Sequence, residues 1–157
     1  MAGKKRLSKL SERLSEAGER LSGSGEGLNT LGERRREPAP ARAGDGARLL
    51  CAGSDLADGG DGIRFEIERK GEAVPAFAIR HGGRVYAYLN RCAHIAMELD
   101  WNPGKFFDTD GEYLICSTHG ALYAPDSGAC RGGPCRGAGL TRLPVFENDG
   151  QVYLRKD

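Results

Sequence analysis

The segments RCAHIAMELDW (residues 91–101) and YLICSTHGALYAPDSG (residues 113–128) place the strongest constraint on the fold of this chain. Each segment contains one cysteine and one histidine, and these four residues are Cys92, His94, Cys116 and His119. Thiolates suit iron–sulfur clusters and zinc, and imidazole suits zinc and iron. A zinc finger usually takes both cysteines from one element and both histidines from the next. The alternating order favours a centre in which two loops each supply one sulfur and one nitrogen.

These segments resemble the ligand loops of the Rieske iron–sulfur family, whose members hold a [2Fe–2S] cluster. The likeness covers about residues 47–157 and includes a later segment, GGPCRGAGLTRLPVFE, at residues 132–147. It implies one cluster per chain, with two cysteines on a buried iron and two histidines on an outer iron near solvent. In this assignment the ligands are Cys92 and Cys116 for the buried iron and His94 and His119 for the outer iron.

Three further residues match positions that support the cluster in the family. The resemblance implies that Gly120 lets the backbone approach the cluster and that Tyr123 donates a hydrogen bond to a cluster sulfur. It also implies that a loop containing Pro134 covers the cluster. Together these residues predict a cluster held by loops at one tip of a β domain.

The chain also departs from the membrane-bound branch of the family. That branch has a disulfide between its two ligand loops, at positions that correspond here to Met97 and Thr118. It also has a serine hydroxyl where this chain has Ala121. Hydrogen bonds to cluster sulfurs raise the reduction potential. With one donor missing, we predict a potential in the lower half of the Rieske range of roughly −150 to +300 mV.

The resemblance predicts a soluble Rieske-type ferredoxin that transfers one electron for an oxygenase or reductase. Its expected partners are a donor reductase and an acceptor oxygenase or reductase, both bound transiently. Two alternatives stay open, a zinc-stabilised β domain acting as an interaction subunit and a small Rieske subunit of a larger reductase. An oxygenase needs a second iron with further histidine ligands, but His81 is the only histidine outside the four. We therefore expect no catalytic residues and an electron carrier rather than an enzyme.

Composition narrows the possible partners and the compartment. The formal net charge is +1, which gives no electrostatic reason to expect binding to nucleic acid or to an anionic membrane. No run of eighteen apolar residues is present, so we expect no transmembrane anchor. The N-terminus lacks the apolar core of a secretory signal, and the chain has 5 cysteines. These features predict a cytoplasmic protein with reduced thiols.

The first 46 residues differ in composition from the remainder and form a separate predicted segment. Apolar residues recur every three or four positions between residues 5 and 21, which predicts a short amphipathic helix. The glycines and the ERRREPAPARAGDG segment that follow predict a flexible linker. A helix of this length is marginal alone, so the alternatives are a docking helix and a largely disordered tail. We predict two parts, an extension at 1–46 and a Rieske domain at 47–157.

Short apolar runs separated by turn residues predict an all-β fold for the second part. The expected fold is an antiparallel β sandwich or barrel. An alternating strand is predicted at residues 63–67, and a hairpin with its turn at Gly82-Gly83 is predicted from residues 74–80 and 84–90. The remaining predicted strands are 113–116, 141–147 and 151–155, the last two paired across Asn148-Asp149-Gly150.

The other aromatic and cysteine residues near the two segments are interpreted as structural. Trp101, Phe106 and Phe107 are predicted to pack the segment between the Cys-His pairs against the domain, with an exposed aromatic docking surface as the alternative. Cys130 and Cys135 lie beside the Gly-Pro segment and are predicted to be reduced thiols, which cytosolic conditions favour.

Overall fold

A computed structural model describes residues 46–156, which form ten β-strands and two single-turn 3₁₀ helices. The strands are β1 Arg48–Ala52, β2 Ile63–Arg69, β3 Glu72–His81, β4 Arg84–Leu89, β5 Leu114–Ile115, β6 Leu122–Tyr123, β7 Cys130–Gly132, β8 Arg142–Leu143, β9 Val145–Asn148 and β10 Gln151–Leu154. The 3₁₀ helices are Gly53–Asp55 and Gly133–Cys135. Among these residues no helix has the length and apolar character needed to cross a membrane. The helix predicted at residues 5–21 and its linker lie outside the described residues.

The strands form three antiparallel sheets, which confirms the all-β prediction. A central sheet has the order β2-β3-β4-β8, an outer sheet has the order β1-β10-β9, and a small sheet has the order β5-β6-β7. Adjacent strands of the central sheet are consecutive in the chain except β8, which returns to pair with β4. The small sheet contains only short strands, and its first two strands lie on either side of Cys116 and His119 in the chain.

The two faces of β3 are buried in two different hydrophobic clusters. Phe77 and Ile79 point into one cluster, which also contains the two predicted cysteine ligands. Ala76 and Ala78 point into a second cluster, which packs the central sheet against residues of the outer sheet such as Val152. Because successive side chains of a strand point to opposite faces, burial on both faces explains the continuous apolar run in β3. The central sheet therefore forms the middle layer of a sandwich.

The structure confirms the predicted hairpins and corrects one predicted strand. β3 and β4 meet at Gly82 and Gly83, which both have positive φ, and β9 pairs with β10 across Asp149 and Gly150. The strand predicted at 141–147 is instead two strands separated by Pro144. Proline has no amide hydrogen to donate to a neighbouring strand. The chain therefore leaves the central sheet after β8 and enters the outer sheet at β9.

The aromatic residues of the long segment divide between core and surface. Phe106 is fully buried and stacks on Phe77 with ring centroids 3.9 Å apart, and Phe107 is half-buried beside His81. The interpretation of Trp101 as a packing residue is wrong, because its side chain is 82% exposed. Its backbone amide lies 3.4 Å from Ser117 Oγ, between the second cysteine and histidine, and the buried side chains of this segment include Leu99 and Phe106.

Candidate metal centre

The first Cys-His loop, residues 91–98, begins where β4 ends. The strand delivers the chain through Asn90, whose amide nitrogen donates to Pro75 O at 2.8 Å. The loop then closes on itself, because the Cys92 amide donates to Met97 O at 2.7 Å. This closure turns Cys92 inward, where it is 3% exposed, while His94 lies on the surface.

A buried polar pair holds both ends of the first Cys-His loop. Asn90 Nδ2 donates to Asp100 Oδ1 at 2.8 Å, and Asn90 Oδ1 accepts the Leu99 amide at 2.8 Å. Asp100 Oδ2 in turn accepts the Gly104 amide at 2.9 Å. Sequence reasoning missed this pair because nothing in the local pattern shows that two polar residues ten positions apart are buried together. The one feature of the sequence that could have indicated the pair is Asn90, a polar residue directly after an apolar strand.

The second Cys-His loop, residues 116–121, is a tight turn between β5 and β6. The Gly120 amide donates to Cys116 O at 2.8 Å, and the Cys116 amide donates to Ala121 O at 2.9 Å. Gly120 has φ +66°, a left-handed conformation that glycine adopts without strain. The Ser117 amide donates to Leu99 O at 2.8 Å, so backbone hydrogen bonding joins this loop to the segment that follows the first one.

The four predicted ligands meet as a buried pair of thiols and an exposed pair of imidazoles. Cys92 and Cys116 are 3% and 0% exposed, and each thiol shifts the pKa of the other. The rings of His94 and His119 lie edge to face with centroids 5.1 Å apart, and both residues are exposed. The two loops therefore order their side chains by depth, with sulfur inside and nitrogen outside.

Tyr123 links β6 to the first Cys-His loop through its buried hydroxyl. The hydroxyl oxygen lies 3.1 Å from Cys92 Sγ and accepts the Ala93 amide at 3.1 Å. Burial raises the pKa of the Cys92 thiol, but hydrogen bonds from Tyr123, from the backbone of His94 and Ile95 and from Cys116 lower it overall. The pKa of Cys116 stays raised because its burial dominates. Donors thus converge on one sulfur, an arrangement that suits a thiolate ligand.

The Gly-Pro loop, residues 130–137, packs against the second Cys-His loop. A Cβ atom at Gly133 would lie 2.7 Å from Gly120 O, so only glycine allows this close approach. Pro134 is exposed in the 3₁₀ turn that follows. The prediction of reduced thiols here is wrong, because Cys130 and Cys135 form a disulfide with a Cα–Cα distance of 5.7 Å. The 3₁₀ turn brings the two cysteines to the separation that a disulfide needs.

The donor set fits the [2Fe–2S] cluster that the resemblance implies. Such a cluster takes two protein ligands on each iron, and the structure supplies one thiol pair and one imidazole pair. Within residues 46–156, no three histidine, cysteine, aspartate or glutamate side chains converge on one metal-sized position. A structural zinc site gathers four ligands about a single ion, whereas this arrangement separates sulfur and nitrogen by depth.

Known proteins share both the sequence pattern and the fold. The model of the Rieske [2Fe-2S] domain family matches residues 47–147. A chain in the complex of reduced oxygenase and oxidized ferredoxin in carbazole 1,9a-dioxygenase is 26% identical, with a TM-score of 0.53 over 69% of this chain and 91% of that chain. No curated protein matches the chain.

Two ferredoxin structures also share the fold. The ferredoxin of carbazole 1,9a-dioxygenase from Nocardioides aromaticivorans IC177 is 19% identical, with a TM-score of 0.54 over 71% of this chain and 98% of that chain. The Sphingomonas yanoikuyae B1 ferredoxin is 22% identical, with a TM-score of 0.53 over 71% and 99% of the two chains. The family match covers well over half of the chain, and this chain therefore belongs to the Rieske [2Fe-2S] domain family.

Proposed function

We propose that this chain is a Rieske-type ferredoxin, an electron carrier without a catalytic site of its own. The observation that carries this proposal is the ordering of the four residues by depth, with buried thiols and paired imidazoles at the surface. A [2Fe–2S] cluster supplies reversible one-electron transfer when it is bound. An electron carrier needs a protected centre with one edge open to a partner, and this depth order provides that edge.

Each residue of the site has a proposed task. Cys92 and Cys116 hold the buried iron, and His94 and His119 hold the outer iron, with one cluster per chain. Tyr123 donates a hydrogen bond at the sulfur side and fixes the position of Cys92. Gly120 and Gly133 allow the Gly-Pro loop to approach the second Cys-His loop, and Pro134 stiffens the turn that covers the centre.

The proposed partners are an oxygenase or reductase that accepts the electron and a reductase that donates it. The likeness to a chain in an oxygenase–ferredoxin complex supports an oxygenase as the acceptor. Redox partners of this kind dock through small, transient interfaces. The exposed imidazole edges of His94 and His119 give the shortest route from the centre to such a partner. The cytoplasmic location remains a prediction.

Metal and sulfide analysis of the full chain tests the proposal. We expect two iron atoms and two acid-labile sulfides per chain, a red-brown colour and a rhombic EPR signal of low average g after reduction. His119→Cys should keep iron but shift the signal to higher average g, because a thiolate replaces an imidazole on the outer iron. A colourless protein with one zinc per chain after anaerobic purification from iron-replete cells would contradict the proposal.

A further inference from the structure

Exposed apolar side chains lie on or directly after the first Cys-His loop. Among residues 46–156, four large apolar side chains are exposed, and three of them are Ile95, Met97 and Trp101 at 47%, 44% and 82%. Ile95 and Met97 belong to the first Cys-His loop. The Trp101 amide contacts Ser117 Oγ of the second Cys-His loop at 3.4 Å. We call these three side chains the apolar collar. Exposed apolar groups grouped in this way mark an interaction surface.

The charged residues in the loops near the apolar collar are mostly positive. The three loops at this tip have four charged residues, which are Arg91, Glu98, Arg131 and Arg136. Glu98 is paired with Arg64. Within the part of the chain that the structure describes, none of the three arginines forms an ion pair. The tip therefore has a net positive charge although the whole chain is close to neutral.

Two of these arginines lie on one side of the imidazoles. Arg131 and Arg136 line the same open pocket of about 590 Å³ on the Gly-Pro loop. That loop packs through Gly133 against Gly120, the residue that follows His119. A pocket lined by two arginines suits a carboxylate, because arginine forms forked hydrogen bonds with carboxylates.

We propose that the redox partner docks here through a protein surface that is apolar at its centre and has carboxylates facing the Gly-Pro loop. This inference rests on the proposed function and adds the chemistry of the partner. The apolar collar would exclude water over the imidazole edges, and Arg131 and Arg136 would orient the partner by charge. Arginine, tryptophan and methionine are the residues enriched in protein interfaces, where lysine is depleted.

Voltammetry of the holoprotein on gold electrodes tests the charge preference. Monolayers ending in carboxylate or in trimethylammonium serve as surfaces of opposite charge. At low ionic strength we expect electron transfer about tenfold faster on carboxylate, with the difference shrinking as salt is added. The double variant R131E/R136E should lose the preference. Arg84→Glu, at the opposite end of β4, makes the same change in charge per residue and should keep it.

A second pair of variants tests the apolar collar. On a mixed carboxylate and methyl monolayer, Trp101→Ser should slow electron transfer about fivefold, because tryptophan is enriched among the interface residues whose loss weakens binding most. Leu49→Ser is the matched control, because Leu49 is 51% exposed but lies on β1 in the outer sheet. Equal effects of Trp101→Ser and Leu49→Ser, or loss of the charge preference in Arg84→Glu as well as in R131E/R136E, would overturn the proposal.

Two controls distinguish the docking proposal from a failure to bind the cluster and from binding to a membrane. Each variant is first checked for its EPR signal and midpoint potential. A wild-type chain without the signal contradicts the proposed function itself, whereas a normal signal without charge preference contradicts only the docking proposal. Phosphatidylserine vesicles test a membrane partner through the emission of Trp101, the only tryptophan of the chain. No shift with vesicles supports a protein partner, and a blue shift that R131E/R136E abolishes would overturn it.

Discussion

Tyr123 shows how a single residue connects the β scaffold to the proposed centre. Its ring is fully buried in the same hydrophobic cluster as Cys92 and Cys116, and its hydroxyl lies 3.1 Å from Cys92 Sγ. The raised pKa of Tyr123, caused first by burial and then by the Cys92 thiol, keeps the hydroxyl protonated and able to donate. A donor at this place stabilises the more negative, reduced state of the centre.

Tyr123→Phe should therefore lower the reduction potential. A neutral hydrogen bond contributes roughly 1 kcal/mol, which corresponds to about 40 mV for one electron. Protein-film voltammetry measures the change directly. Tyr153→Phe is the matched control, because that hydroxyl donates to Gln151 on the outer sheet and its loss should leave the potential unchanged. An unaltered potential in Tyr123→Phe would contradict this role.

Asn90 contributes to stability through the buried pair with Asp100. Asn90→Ala removes two hydrogen bonds and leaves the Leu99 amide and one Asp100 oxygen without their partner. We expect a loss of about 2–4 kcal/mol in the free energy of unfolding, measured by urea denaturation. Asn148→Ala removes only an exposed side-chain contact and should change stability by less than about 0.5 kcal/mol. Similar losses in both variants would contradict a structural role for the pair.

For single residues, the sequence predicted the candidate metal ligands better than it predicted which side chains are buried. Spacing alone singled out the two Cys-His pairs, because thiols and imidazoles that close together in turns have few other uses. The exposure of Trp101 could not be predicted, since tryptophan is more often buried. The Asn90–Asp100 pair could not be predicted either, because its burial depends on where the segment after the first loop returns to the domain.

At the scale of secondary structure, local turn residues located most of the strands. Alternation placed β2, and glycine pairs placed the β3–β4 hairpin within two residues. β1 escaped prediction because it pairs with β10, far along the chain, and β6 and β7 escaped because they have only two and three residues. Pairing between strands far apart in sequence leaves little trace in local composition. Pro144 could have indicated the break between β8 and β9, but the apolar residues on either side of it were interpreted as one strand.

The predicted cytoplasmic location led us to expect reduced thiols in the Gly-Pro loop, but the structure has a disulfide there. A six-residue loop is closed by Cys130 and Cys135, and it lies against the backbone of Gly120. The membrane-bound branch of the family has a disulfide between its two ligand loops. The corresponding positions here are Met97 and Thr118, which cannot form one. In this chain the covalent restraint instead lies within the covering loop.

The double variant C130S/C135S should loosen that loop. Closing so short a loop corresponds to about 2 kcal/mol of stability, so we expect a lower urea midpoint and faster iron release to a chelator. A dithiol reductant should bring the wild type towards the variant and leave the variant unchanged. Cys51→Ser, at a free and half-buried cysteine, is the control. Iron release at the wild-type rate in C130S/C135S would show that the disulfide does not protect the centre.

At the scale of the whole molecule, the chain is predicted to consist of an extension at 1–46 and a domain at 47–157. All contacts of the candidate centre described above come from residues within the second part. Deletion of residues 1–46 should therefore leave iron content, EPR spectrum and reduction potential unchanged. A truncated chain that fails to bind iron would contradict the predicted boundary. Size-exclusion with a candidate partner would then show whether the extension contributes to docking.

The proposed function depends on a redox-active [2Fe–2S] cluster held by two histidines and two cysteines of this chain. Pulse EPR of the reduced full chain, labelled with ¹⁵N-histidine, tests it most directly. We expect a rhombic signal of low average g with couplings to two histidine nitrogens, and a single remaining coupling in His94→Cys. A reduced iron–sulfur signal without any histidine nitrogen coupling would contradict histidine ligation of the cluster, as would zinc in place of iron.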